Sequence, residues 1–573
     1  MSLLDKIKSS SFITIILVLA GLILLNTSAQ YVKSHIDLTQ EKRFTLTEPT
    51  KKELKNVHDA VFVRVLLDGH FPAGFKRLQT AVRDMLNEYH GINPLVEYKF
   101  EDPDIAGDDA EKKKKFEEFA QQGLVPMRLR LVDNDQKTEQ YIFPYAIVNY
   151  RNNQTVVRLL ENEVPGQNPE IAINNSVSLL EYKLSNAIQK LLSNQRPNIV
   201  FTEGHDELSP EETYDLESSL RQFYNTGRFN LDSVTQIPFK DTLSRVDILI
   251  VAKPKKPFSE KQKFLLDQYI MQGGKVIWLI DVLNADLQSM QQTGRMIPTD
   301  YNLNLNDQFF KYGFRLNPNI IADMECARIP LKVGQVGGTP QMDLFQWFYY
   351  PIVSPKSNHP IVKSLDRVWL QFPSNIDTIK TKTNVRKTVL LSSSAHSRLQ
   401  YVPSEINFEM LRYTPEPEKF NNGLQSVAVI LEGIFPSLFE NRVNEQQLQV
   451  LQKLGQTFRS QSVPTKMLVV SDGDIARNDI DAQKNTSMPL GYNKVERYKF
   501  ANKDFLLNAV EYMLDDNGII AARSKDVRLR LLDAPRAKAE INFWRFFNIG
   551  IPLLLLVLAG IFFTWRRRIN WGK

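Results

Sequence analysis

At 573 residues, 43% hydrophobic and 24% charged, the chain has the composition of folded protein and the length of two or three domains. Its single cysteine, Cys326, excludes an internal disulfide and any multi-cysteine metal or redox centre. A net charge of +6 over this length, much of it in the terminal tails, argues against nucleic-acid binding.

In chain order, Phe12 to Leu25 is almost wholly apolar and extends through weakly polar residues to about Gln30, close to the roughly 20 residues a spanning helix needs. Lys6 and Lys8 precede it, so residues 1–30 are expected to form a cytoplasmic tail and a first transmembrane helix. A signal peptide cleaved near Thr27-Ser28-Ala29 is the alternative, and either reading exports the region beyond it. Thr47 is placed to cap a short helix with Pro49 in its first turn. A strand at Val61 to Leu67 is followed by a helix, Phe75 to Tyr89, with Phe75, Leu78, Val82, Met85 and Leu86 on one face. Then come a strand at Val96 to Phe100, a charged helix near 110–121, two or three strands between Met127 and Leu160, and a helix from about Pro169 to Leu192. This order has the outline of a thioredoxin-like α/β domain over residues 31–194. No cysteine lies in it, so redox chemistry is excluded.

A second α/β domain is expected over residues 195–530. Asn198 to Thr202 reads as a strand, Glu211 to Tyr224 as a helix and Val246 to Val251 as a buried strand. Ser259 opens a helix with Gln262 as its capping-box partner, and Gly273-Gly274 ends it before a strand running to Asp281. That alternation predicts a doubly wound, mostly parallel sheet. The pattern resumes at Ile320 to Ala322, Thr388 to Leu391, Val427 to Leu431 and Met467 to Val470, with insertions near 285–387. A helix at Asp504 to Leu514 buries Phe505, Leu506, Ala509, Val510 and Met513. After a juxtamembrane segment, 531–545, the uncharged run 546–565 is the stronger membrane span, bracketed by Trp544 and Trp565. Arg566, Arg567 and Arg568 in the basic tail 566–573 place that end in the cytoplasm. Pro552 inside the span hints at a partner helix that satisfies the freed carbonyl.

Several segments together resemble one family. They are Asp37-Leu-Thr with Phe44-Thr-Leu-Thr47, Phe201-Thr-Glu-Gly-His205, Phe258-Ser-Glu-Lys through Gly273-Gly-Lys-Val-Ile-Trp-Leu-Ile-Asp281, Ser357-Asn-His-Pro-Ile-Val362, Val470-Ser-Asp-Gly-Asp-Ile-Ala-Arg-Asn478 and Asn502-Lys-Asp-Phe-Leu-Leu-Asn508. In this order they resemble the GldG family, gliding-associated ABC-transporter auxiliary proteins of Bacteroidota. The resemblance implies an inner-membrane subunit with two spans, both termini cytoplasmic and the bulk periplasmic. It also implies partners: a permease, a separate ATPase, and an envelope or secretion machinery that serves motility. The family's external domain is described as similar to the class I glutamine amidotransferase fold.

The residues themselves offer little catalysis. Gly273-Gly274-Lys275-Val276 lacks the first glycine and the hydroxyl of a phosphate-binding loop. Cys326 has no elbow glycines around it, so an amidotransferase-like fold is expected to be catalytically empty. The strongest polar cluster is Glu203, His205, Asp206 and Glu207 after the strand, where a ligand or partner loop competes with a tight structural turn. Asp472 and Asp474 superficially suggest a cation loop but lack the remaining EF-hand ligands, and Asp474 is expected to cap the next turn. His359 and His396 read as loop residues. The expectation is a non-enzymatic membrane subunit without cofactor or metal. The alternatives are a tethered envelope hydrolase or amidotransferase and a tethered solute or polymer receptor.

Overall fold

The structure is a computed structural model. It describes residues 45–571 except 70, 104–113, 115, 121–122, 134–135, 162–168, 194–195, 235–236, 238–244, 337, 414, 454–456, 482–485 and 525–533, together with 17, 20, 21 and 24. The expected first span therefore lies outside the described residues, apart from helical Leu17, Ala20, Gly21 and Leu24. Half of the charged helix expected near 110–121 also lies outside them, and its described residues, 114 and 116–120, are helical. The chain divides into two units, residues 1–525 and 526–573.

The first unit opens with α1 (Glu48–Lys55), which carries proline in its first turn. Thr47 precedes α1, but its hydroxyl meets Thr50 and Glu181 rather than the helix backbone. Strand β1 (Val61–Val65) buries Val61, Val63 and Val65 in strict alternation, as period 2 requires. It pairs in parallel with β2 (Val96–Phe100) after helix α2 (Ala73–Ile92), and antiparallel with β5 (Tyr145–Tyr150), which in turn pairs antiparallel with β6 (Asn153–Arg158). The sheet order is β2-β1-β5-β6, while β3 (Met127–Asp133) and β4 (Gln136–Ile142) form a separate hairpin. Phe75, Leu78, Val82, Leu86 and Tyr89 of α2 meet Ile173, Leu180, Leu184, Ala187 and Ile188 of α3 (Pro169–Leu192) in one core.

The second lobe of this unit is a seven-stranded mixed sheet. Five parallel strands, β7 (Asn198–Glu203), β8 (Asn225–Asn230), β9 (Ile248–Ala252), β10 (Lys275–Leu279) and β15 (Thr465–Val470), lie in the order β8-β7-β9-β10-β15. Two antiparallel strands, β14 (Ser426–Gly433) and β13 (Val385–Ser392), extend the β15 side. The central strands face two cores, so adjacent residues part company. Leu249, Val251, Val276 and Trp278 point to one face with α5 (Glu260–Met271) and α6 (Asn306–Tyr312). Ile248, Ile250, Ile277 and Leu279 point to the other with α4 (Tyr214–Arg221) and α7 (Asn502–Leu514).

Two further sequence expectations need correction. The helix expected at 211–224 is shortened to α4 by turns at 210–213 and 222–223, and Asn225–Asn230 forms edge strand β8, a polar NTGRFN run with no apolar alternation to announce it. Ile320 to Ala322 do not join the main sheet. Asn319–Asp323 instead pairs antiparallel with Ser397–Tyr401 in a layer of short ladders that also takes in Ile406–Asn407. Within this layer the long hairpin β11 (Cys326–Val336) and β12 (Thr339–Val353) stands out, with Val333 and Met342 exposed toward its tip.

The second unit is built around helix α8 (Ile541–Trp571), whose stretch Ile541–Ile569, with mean hydropathy 2.4 over its most apolar 18 residues, is long and apolar enough to cross a membrane. At ~1.5 Å per residue it exceeds the ~30 Å hydrocarbon core.

Candidate functional site

In an open parallel sheet the loops leaving the carboxyl ends of the strands line the crevice where ligands bind, and strand order reverses here between β7 and β9. Both sequence-predicted clusters sit on this edge. They flank the loop after β9, which touches each.

Glu203 ends β7, half-buried, 3.4 Å from Arg228, whose guanidinium is held mainly by buried Glu217 at 2.7 Å. Gly204 has φ of +117° and its position lies against Asn230, so a side chain there would clash. His205 is buried and stacked on Phe258, ring centroids 3.8 Å apart. Its Nε2 meets Gln262 Oε1 at 3.1 Å and its Nδ1 faces Glu207 at 3.4 Å. Burial pushes the imidazole pKa down, but Glu207 and Gln262 outweigh it and hold it above the ordinary value. The same contact, against burial, holds the Glu207 carboxyl below its ordinary value. The His205 carbonyl accepts from Lys255 N and Lys256 N. Asp206 is exposed and paired with Lys256 at 3.0 Å. His205 thus joins the β7 loop, the β9 loop and the first turn of α5, and presents no free nitrogen to solvent.

The second cluster is more deeply buried. Lys253, directly after the all-apolar β9 and at φ +55°, reaches Asp281 at 3.0 Å and Asp474 at 2.5 Å, with all three side chains at most 8% exposed. Burial lowers the Lys253 pKa, but the two carboxylates outweigh it and the net shift is upward. Burial raises Asp474, yet Lys253 and Arg477 outweigh it and hold this carboxyl below the usual range. Asp281 is raised by burial in spite of Lys253. Burial and the neighbouring Asp281 and Asp474 hold Asp472 well above the ordinary value. Asp474 does not cap the following turn. Gly473 occupies that position, the Asp474 N–H donates to Asp472 Oδ1 at 2.8 Å, and the Asp474 carboxylate is spent on Lys253. Arg477 reaches Glu212 at 3.2 Å, and Asn478 accepts from Asp215 N and donates to Glu211 O, pinning α4 to this loop.

The inserted layer roofs the cluster. Gln371 N donates to Asp472 Oδ2 at 2.7 Å, Ser374 N donates to Ser471 O, and Ser471 Oγ donates back to Ser374 O. Lys253, Asp281 and Arg477 were not singled out from sequence. The available signal was a lysine directly after the all-apolar β9 and an aspartate two residues after the apolar end of β10. Cys326 opens β11 at the base of the hairpin, where burial pushes its thiol up to about 12, far from a reactive thiolate. His359 packs edge-on against Tyr512, and His396 lies in the turn before Ser397–Tyr401. Among the described residues no group of three or more His, Cys, Asp or Glu side chains is arranged to hold a metal ion.

Residues 196–509 match the family described as an ABC-type uncharacterized transport system, and residues 40–149 match a domain of unknown function, DUF7088. An uncharacterized protein of Borreliella burgdorferi is 22% identical over 441 residues, covering 76% of this chain and 79% of that protein. Among solved structures the mmIFT52 N-terminal domain aligns with 55% of this chain and 96% of its own length, at 12% identity and a TM-score of 0.30.

Proposed function

The chain belongs to the ABC-type uncharacterized transport system family, and from that premise we propose that it is a non-catalytic auxiliary subunit working beside a permease and a separate ATPase. The observation that carries the non-catalytic part is the carboxyl edge of the sheet. The groups there, Lys253, Asp281, Asp472 and Asp474, are buried and hydrogen-bonded to one another and to the roof. This burial, with Gln371 of the roof bonded to Asp472, supports a structural role for the cluster over a catalytic one.

On this reading helix α8 is the membrane anchor and meets the permease, while the two lobes stand outside the inner membrane. A second span at residues 12–30, cytoplasmic termini and a role in gliding motility or secretion belong to the same proposal, on the strength of the family resemblance. The order β2-β1-β5-β6 supports a thioredoxin-like reading of the first lobe, and the order β8-β7-β9-β10-β15 is compatible with an amidotransferase-like reading of the second. Neither carries chemistry by itself. ATP-driven movement of the permease would be passed through the anchoring helix to the external lobes.

The test is complementation of a deletion strain whose surface spreading depends on the chain. Glu203→Gln with Asp206→Asn, at the most accessible positions of the His205 loop, is expected to restore spreading fully. Replacement of residues 546–565 by an unrelated spanning helix is expected not to restore it. Loss of spreading in the loop variant, at normal protein level, would shift the reading to an enzyme.

A further inference from the structure

The two lobes of the first unit meet through α3, α7 and the turn Ile519–Ser524. Tyr182, Ile519, Ile520 and Ala522 form a small apolar cluster, and Tyr182 and Lys190 both engage Glu511. Beside this contact lies a cleft of about 530 Å³ with walls from both lobes, within the ~300–1,000 Å³ typical of small-molecule sites, which favour such junctions.

Arg523 is the anomaly in its wall. It is 6% exposed. Its Nη1 donates to Asn508 Oδ1 at 3.0 Å, its Nη2 to Lys363 O at 3.3 Å, and its guanidinium lies 4.9 Å from the Tyr182 ring centroid. Its Nε–H has no acceptor, and among the described residues no carboxylate forms an ion pair with it. A buried charge is ordinarily paired, because neutral hydrogen-bond partners do not repay its lost hydration. The nearby carboxylates have their direct partners elsewhere: Glu161, which also lies in the field of Arg523, pairs with Lys183, Glu511 with Lys190, and Asp366 with the Tyr498 hydroxyl. Asp504, which also lines the cleft, sits in the field of Lys499, Lys503 and Arg158. Arg367, on the same wall, has a second buried Nε–H without an acceptor, with Asp366 no closer than 4.0 Å.

We propose that this interlobe cleft binds a small hydroxylated organic anion whose carboxylate or phosphate is the missing counter-charge of Arg523. Guanidinium is the side chain suited to such a group, since its planar fork matches two oxygens at once. Asn175, Ser354 and Ser364, neutral and polar, also line the cleft and suit the hydroxyls. The site lies apart from the roofed carboxyl edge and does not depend on the transporter reading.

The test is thermal unfolding of the full-length chain in detergent with glucuronate, with glucose 6-phosphate, and with glucose as the neutral control, at matched ionic strength. One or both anions are expected to raise Tm saturably while glucose does not, and the pair separates carboxylate from phosphate. Arg523→Met is expected to abolish that shift while its own ligand-free Tm equals or exceeds that of the unaltered chain, because an uncompensated charge has gone. No saturable anion-dependent shift, or a shift that survives in Arg523→Met, overturns the proposal. Should Arg523→Met not fold, Arg523→Lys decides: apparent affinity weakened by about tenfold or more supports the site, since lysine keeps the charge but not the fork, and unchanged affinity overturns it.

Discussion

Lys253 is a buried tie between strand ends of the second lobe. It ties the end of β9 to Asp281 after β10 and to Asp474 after β15, so three strand ends share one ammonium. Removing one partner of a buried pair leaves the other charge uncompensated, at about 3–5 kcal/mol. Lys253→Met is therefore expected to lower unfolding stability by about that amount in urea titrations, with a smaller loss if Asp474→Asn is combined with it. His205 makes a pH-dependent contribution. Its folded pKa is raised above the unfolded value near 6.5, so its stabilisation is fully present below that unfolded value and lost as pH rises through the folded pKa. The urea midpoint difference between the unaltered chain and His205→Gln should be largest near pH ~5.5 and shrink toward pH ~8.5. A difference that grows with pH would reverse the assignment. The His205 loop was legible in sequence as a polar strand-to-helix turn, but its role was not. Stacking on Phe258 and the bond to Gln262 join residues more than fifty positions apart. Lys253 was hidden for a different reason, since a lysine after a strand ordinarily reads as a solvated loop.

Local signals and tertiary ones part company among the elements. The Ser259 capping box forms as its spacing predicts: the Ser259 side chain accepts from Gln262 N, and Ser259 N donates to Gln262 Oε1 at 2.7 Å. Gln262 then does more than cap, because its Nε2 donates to Asp232 at 2.9 Å and its Oε1 meets His205. Ser259→Ala is expected to cost about 1 kcal/mol, the ordinary value of an N-cap. Gln262→Ala should cost visibly more, and equal losses on calorimetric unfolding would show that the His205 contact adds nothing. Helices α2, α3 and α7 were readable because each has a face of apolar residues at helical spacing that meets a core. Strand β8 was not, since an edge strand needs no apolar alternation, and the layer of short ladders was not, since pairs of a few residues show little period. The apolar run of α8 needed only its length and lack of charge.

At the scale of the whole molecule, the first unit holds its two lobes together with few groups. Glu511 is the centre, engaged by Tyr182 and Lys190 from α3, with Lys190 and Glu511 15% and 17% exposed. Glu511→Ala leaves Lys190 facing a half-empty junction, and limited proteolysis is expected to separate the lobes near residues 193–197 in this variant before it cuts either core. Unchanged digestion kinetics would show that the apolar cluster of Ile519, Ile520 and Ala522 suffices. The central claim is that the chain is an auxiliary subunit of an ABC-type complex, joined through its apolar helix. The most direct measurement is a mild-detergent pull-down of the tagged full-length chain with mass spectrometry, beside the version in which residues 546–565 are replaced by an unrelated spanning helix. Recovery of a permease and an ATPase with the native helix and not with the replacement is the predicted result. A native chain that recovers neither would contradict it.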